Sequence, residues 1–137
     1  MKLAIKTIYG IQAMFEMAEH APAEGLKSAE IAKAQKIPGS FLEQILAALK
    51  KAKLVKSFRG REGGYILGRL PSEITLFNII EALEGSVAFA NAPKDMSIVA
   101  ETLREMENKL VRDLKVVNLG NMIEAKAEKN KTLMYTI

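Results

Sequence analysis

The stretch SFRGREGGYILGR, residues 57–69, carries three arginines and four glycines between short apolar runs. Guanidinium groups on a turn offer rigid, charge-assisted donors to a polyanion. Glycines let the backbone adopt positive φ or come close to a surface. Other chemistry is scarce. The chain has no cysteine, which removes disulfides, thiolate metal sites and thiolate-held iron–sulfur clusters. His20 is the one histidine and cannot build a metal site alone. No nucleophile–base pair and no phosphate loop is present, so no enzyme activity is expected. No metal or cofactor is expected either.

The cations are unevenly spread. Residues 1–69 hold 12 Lys/Arg against 6 Asp/Glu, a balance of +6, and residues 70–137 hold 8 against 10, a balance of −2. A basic first half joined to a slightly acidic second half suits a polyanion-binding module attached to another element. The length of 137 residues, 49% of them hydrophobic, allows one compact core without staples. The apolar runs are too short and too interrupted by charge to span a bilayer. The opening MKLAIKTIYG has no apolar segment followed by a cleavage site. A cytoplasmic location is the expectation.

The cations must be positioned by local elements. IKTIYGIQAMFEMAEH, 5–20, is apolar over most of a helical surface and predicts a largely buried helix. Pro22 and Gly25 end it. A short helix follows to about Gln35, with Ser28 as its expected N-cap. After a Pro-Gly turn, Ser40 and Glu43 have capping-box spacing, and Leu42, Ile45, Leu46 and Leu49 make an apolar face. Two helices joined by so tight a turn form a helix-turn-helix. Strands are expected at about 54–58 and 64–68, with a glycine-rich connection. A helix from Thr75 to Gly85 comes next. A loop at 86–94 leads to a long helix over about 95–117. Met96, Val99, Leu103, Met106, Leu110, Leu114 and Val117 form its seam, suited to a second copy. At about 22 residues it is about 33 Å long. Asn118 starts a short last helix, and NKTLMYTI is expected to be a tail.

The expected fold is mainly α with a small β-hairpin wing: a winged helix-turn-helix plus a long dimerisation helix. It divides into a DNA-binding domain at 1–85, the loop at 86–94, dimerisation helices at 95–128 and a tail at 129–137. In such a fold the second helix of the turn motif enters the major groove. Candidate DNA contacts there are Pro38, Gly39, Ser40, Phe41 and Gln44, with Ser28 at the start of the first helix. Gln44 can pair bidentately with adenine, and Phe41 can meet a thymine methyl or join the core. Arg59, Gly60 and Arg61 sit at the hairpin tip, where a narrow minor groove attracts arginine. Lys2, Lys6, Lys36, Lys50, Lys51 and Lys56 are candidate phosphate contacts, which set affinity and register. Phe89 and Met96 are candidates for a small-ligand pocket, the alternative being ordinary core.

The pieces FLEQIL, LKKAKLVKSFRG, GGYILGR and IIEALEG resemble the Rrf2 family of bacterial winged-helix transcription regulators, over roughly residues 1–125. The resemblance implies a homodimer on a partly palindromic operator. It places Ser40, Phe41 and Gln44 on the recognition helix, and Arg59 and Gly60 in a wing that reaches the minor groove. Ile8 stands where members often have arginine. Many members bind an iron–sulfur cluster through three cysteines before the long helix. Here that loop, SVAFANAPKDMSIVAE, is shorter and has none, with Ser97 at the last cysteine position and Ala100 where some have histidine. The short loop, length and chain end are similar to a cluster-free subgroup, the cysteine-metabolism repressors. That likeness implies cysteine synthase as a partner and O-acetylserine as the signal that weakens the complex. Tyr135, Thr136 and Ile137 are then expected to enter that enzyme's active site as a carboxylate-capture peptide.

Overall fold

A computed structural model describes residues 2–22, 24–58, 63–89 and 92–136, the last of these by its backbone alone. Helix α1 (Ile5–His20) lies at the centre. Thr7, Gly10, Ala13, Met14 and Met17 are buried along it. Helices α2 (Ser28–Gln35), α3 (Gly39–Lys51) and α4 (Leu76–Glu84) all pack on α1. At the α1–α4 crossing Gly10 gives Leu83 its room.

Two helix starts differ from expectation. Lys27, not Ser28, is the N-cap of α2, and no side chain bonds there. Pro38, not Ser40, occupies the N-cap of α3 with φ −56° and ψ 128°. The Leu42 amide already donates to the Pro38 carbonyl at 2.9 Å. Ser40 is therefore inside the helix, where its backbone cannot take the extended form a cap requires. The capping box forms instead at α4. There Asn78 N–H donates to Thr75 Oγ1 at 3.1 Å, and Thr75 N–H donates to Asn78 Oδ1 at 2.9 Å. The tight turn between α2 and α3 runs through Lys36, held left-handed at φ 56°.

The wing is an antiparallel pair, β1 (Val55–Phe58) and β2 (Gly64–Leu67), in register Val55↔Leu67 to Phe58↔Gly64. Leu26 pairs with Tyr65 as a short third edge. Gly64 does not adopt positive φ. Its need is close approach, since a Cβ there would lie 2.8 Å from the Glu24 carbonyl oxygen. Arg59, Gly60 and Arg61 lie outside the described residues.

A single turn at Pro71–Glu73 leads into α4, which ends at Gly85 with φ 89°. Helix α5 (Ile98–Val116) starts later than expected because Ser97 caps it, accepting the Ala100 amide at 3.2 Å. Helix α6 (Leu119–Thr136) follows at once. Asn118 and Asn121 exchange side-chain acceptors for each other's amides at 2.9 and 2.8 Å. No glycine or proline interrupts residues 121–136, so the segment expected as a tail from 129 continues the helix. Leu119 is buried in the same cluster as Met14, Leu46 and Ile79. The start of α6 thus belongs to the core of the first 85 residues.

Gly64→Ala should destabilise the protein by about 1–3 kcal/mol, the usual cost of overpacking against something that cannot move. A urea denaturation midpoint measures it. An unchanged midpoint would mean that Glu24 and Gly64 can part freely.

Candidate nucleic-acid interface

Helix α3 is two-faced. Leu42, Ile45, Leu46 and Leu49 are buried. Ser40, Gln44, Ala47 and Lys51 are exposed and recur every three or four residues, so they form one outward stripe. Pro38 and Gly39 are also exposed, and a Cβ at Gly39 would meet nothing within 4 Å. With no side chain capping α3, the positive end of its dipole is open to a phosphate.

Phe41 stands apart from that stripe. It is half-buried and packs edge-on against Tyr9, with ring centroids 5.7 Å apart at 82°. The ring thus has a core-linked contact. Ser28 is half-buried and donates its hydroxyl to Glu43 Oε1 at 2.7 Å. That hydroxyl is engaged within the protein. Lys36, Lys50, Lys51 and Lys56 are exposed around the helix-turn-helix and the wing root. Glu43 was read from sequence as part of a capping box, not as the acceptor of Ser28. The two lie on separate helices, which only the tertiary fold brings together.

Lys2 and Lys6, both exposed, flank the start of α1. Glu84 of α4 fixes that start. It accepts the Ala4 amide at 2.8 Å and the Thr7 hydroxyl at 2.7 Å. The Thr7 hydroxyl, then the Ala4 amide and the nearby Lys6 charge hold the Glu84 carboxyl below its ordinary range.

A cleft of 660 Å³ opens between the N-terminal residues, α4, the loop after it and α5. Phe89 lines it, and its amide donates to Glu107 Oε1 at 2.7 Å. Met96, expected beside Phe89, is 79% exposed and takes no part in the lining.

A helix-turn-helix with an exposed second helix, followed directly by a two-stranded wing, defines a winged helix-turn-helix DNA-binding regulator. The chain belongs to the Rrf2 family, whose model, described as that of an iron-dependent transcriptional regulator, matches residues 3–125. It is similar to slr0846 of Synechocystis sp., an HTH-type transcriptional regulator, at 34% identity over 89% of this chain and 87% of that protein. IscR of T. potens superposes with a TM-score of 0.81 at 36% identity, covering 94% of this chain and 90% of that one. CymR, titled the global cysteine regulator of B. subtilis, superposes with a TM-score of 0.81 at 29% identity, covering 91% and 98%. In sequence the CymR match is 39% identical over 64% of each chain. Several other curated relatives are matched over little more than half their length. These relatives are regulators of transcription, not enzymes, and so is this chain. Among the described residues no helix is long and apolar enough to cross a membrane.

Among the described residues the family's iron finds no fitting set of donors. The chain lacks cysteine, and no group of three or more His, Asp or Glu among the described residues can hold a metal. Ser97 uses its hydroxyl to cap α5.

Because the Glu84 pKa is depressed on folding, its contribution is complete above the ordinary carboxylate range and drains away as pH falls through the folded value. Wild type should therefore lose its stability advantage over Glu84→Gln between about pH 5 and about pH 3. Thermal unfolding across that range checks it. A constant difference would show that the carboxylate's ionisation is not coupled to folding.

Proposed function

We propose that the chain acts as a dimeric repressor that binds a partly palindromic operator and controls cysteine and sulfur metabolism, without an iron–sulfur cluster. The observation that carries the DNA reading is the exposed stripe Ser40–Gln44–Ala47–Lys51 on a helix whose opposite face is locked in the core. Ser40 and Gln44 then meet base edges, while the lysines and the open start of α3 meet phosphates. Arg59, Gly60 and Arg61, which lie outside the described residues, are read from sequence as the minor-groove contacts of the wing.

The dimer reading is supported by α5. Val99 and Met106 of its expected seam are 55% and 47% exposed. A second copy laid on this seam would take those side chains out of water. The cysteine reading is supported by the likeness to CymR.

For the partner, we read the chain end as a docking peptide for cysteine synthase. Leu133, Met134 and Tyr135 are exposed on the last turns of α6. Thr136 and Ile137 complete it, and Ile137 lies outside the described residues. Since α6 runs through Thr136, its terminal turn would unwind to enter an active site, which helix ends do at low cost. Removing residues 134–137 should abolish calorimetric binding to cysteine synthase; undiminished affinity overturns the docking role.

A second reading rests on the 660 Å³ cleft: a regulator of other genes, gated by a small ligand or redox signal. A metabolite that binds there would raise the melting temperature, the stabilisation growing with the logarithm of one plus its concentration over its Kd.

Arg59→Ala should cost about 1–3 kcal/mol of operator affinity, as loss of a specific contact does. Lys51→Ala should weaken operator and unrelated DNA alike and flatten the salt dependence. Fluorescence anisotropy titrations at several salt concentrations measure both. If Arg59→Ala binds the operator as wild type does, the wing does not read it.

A further inference from the structure

Helix α5 packs one face toward α4. Leu110 and Leu114 lie half-buried on that face and line the 660 Å³ cleft. Glu107 precedes them by three and seven residues, so it shares the face, and it lines the cleft as well. An acid on this otherwise apolar side of α5 calls for a physical reason.

A half-buried carboxylate among apolar side chains needs donors. Ionised, it offers two oxygens with about four acceptor sites. Glu107 Oε1 takes the Phe89 amide at 2.7 Å. Among the described residues no ammonium or guanidinium pairs with it. Glu84 meets the same cleft from α4, and its Oε1 accepts the Ala4 amide and the Thr7 hydroxyl. Both carboxylates are thus pinned by protein donors through one oxygen each. The second oxygen of each takes part in none of these bonds.

The rest of the lining fixes what could meet them. Ile80, at 5% exposure, and the half-buried Phe89 add apolar surface to that of Leu110 and Leu114. Lys2, exposed ahead of α1, is the one cation among the described lining residues. Two carboxylates against one ammonium leave the lining at −1. An anion placed here would face two fixed like charges. A neutral donor would make a weaker bond than a charged one, by about half. The volume falls within the range of about 300–1,000 Å³ usual for small-molecule sites.

We propose that this cleft takes a monovalent organic cation, an ammonium carried on an apolar body, with Glu107 as its main counter-ion. The apolar body lies on Ile80, Phe89, Leu110 and Leu114. This deepens, and rests on, the reading of the cleft as a small-ligand site. Glu84 gives such a ligand a neighbour that also holds the start of α1, where Lys2 and Lys6 stand.

Three probes with one phenylethyl body separate charge from shape: 2-phenylethylamine, 2-phenylethanol and 3-phenylpropionate. Each is titrated into the full chain at constant ionic strength and neutral pH. The Phe89 amide resonance is followed by NMR, because that amide donates to Glu107. The amine should shift it saturably and bind about tenfold more tightly than the alcohol, the scale of one hydrogen bond to a charged group. The propionate should bind more weakly than either. Glu107→Gln keeps an acceptor for Phe89 and removes the charge. It should weaken the amine about tenfold and leave the alcohol unchanged. An amine that binds no better than the alcohol, or equally well to Glu107→Gln, overturns the proposal. If the alcohol or the propionate then still gives a saturable shift, the cleft remains a ligand site and only the cation class fails. If none of the three does, the ligand-site reading fails and takes this proposal with it.

Discussion

Leu42, Leu46 and Leu49 of α3 are fully buried and Ile45 is 3% exposed, and this anchoring governs what the protein presents to DNA. A helix rotated by one residue turns about 100°. Such a rotation would swing Ser40 and Gln44 out of the exposed stripe and bring leucine into water. Burying a Leu or Ile side chain stabilises by about 1.5–3 kcal/mol, so four of them hold the register firmly. The recognition face is thus specified by its opposite. The same core takes in Met14 and Met17 of α1, Ile79 of α4 and Leu119 of α6, so these elements hold α3 in one orientation.

The core also connects DNA reading with the second half of the chain. Leu76 N–H donates to the Val117 carbonyl at 2.9 Å, and Leu119 N–H donates to the Ile74 carbonyl at 3.0 Å. These bonds fasten the α5–α6 junction to the start of α4. Lys126 extends the attachment, with its ammonium 2.7 Å from Glu19 Oε1 and over the Phe15 ring. A partner that moved α5 or α6 would therefore pull on the same core that orients α3. That gives a physical route for a signal at the far end of the chain to reach the DNA-binding face.

The helix-turn-helix, the wing and the α4 boundaries were legible because each has a local cause. The Leu42–Ile45–Leu46–Leu49 spacing, Gly85 and Thr75 act within a turn or two of sequence. The α3 cap was not legible. Ser40 and Glu43 have the right spacing, but Pro38 takes the extended backbone first, and Glu43 turns to Ser28. The length of α6 was also missed. A polar segment without breakers reads as a tail or a helix, and its attachment through Asn118 and Leu119 decides. Phe41 illustrates the limit for the site. Its place beside Gly39 and Ser40 suggests a DNA contact, and its edge-on contact with Tyr9 on α1 appears only in the folded chain.

The central claim is that paired copies of one winged helix-turn-helix read a symmetric DNA site through α3. Selection of bound duplexes from a random pool, followed by sequencing, tests it most directly. The account predicts enrichment of an inverted repeat whose half-sites lie about one helical turn, or a multiple of it, apart. Enrichment of a single unpaired half-site, or of no sequence at all, would contradict it.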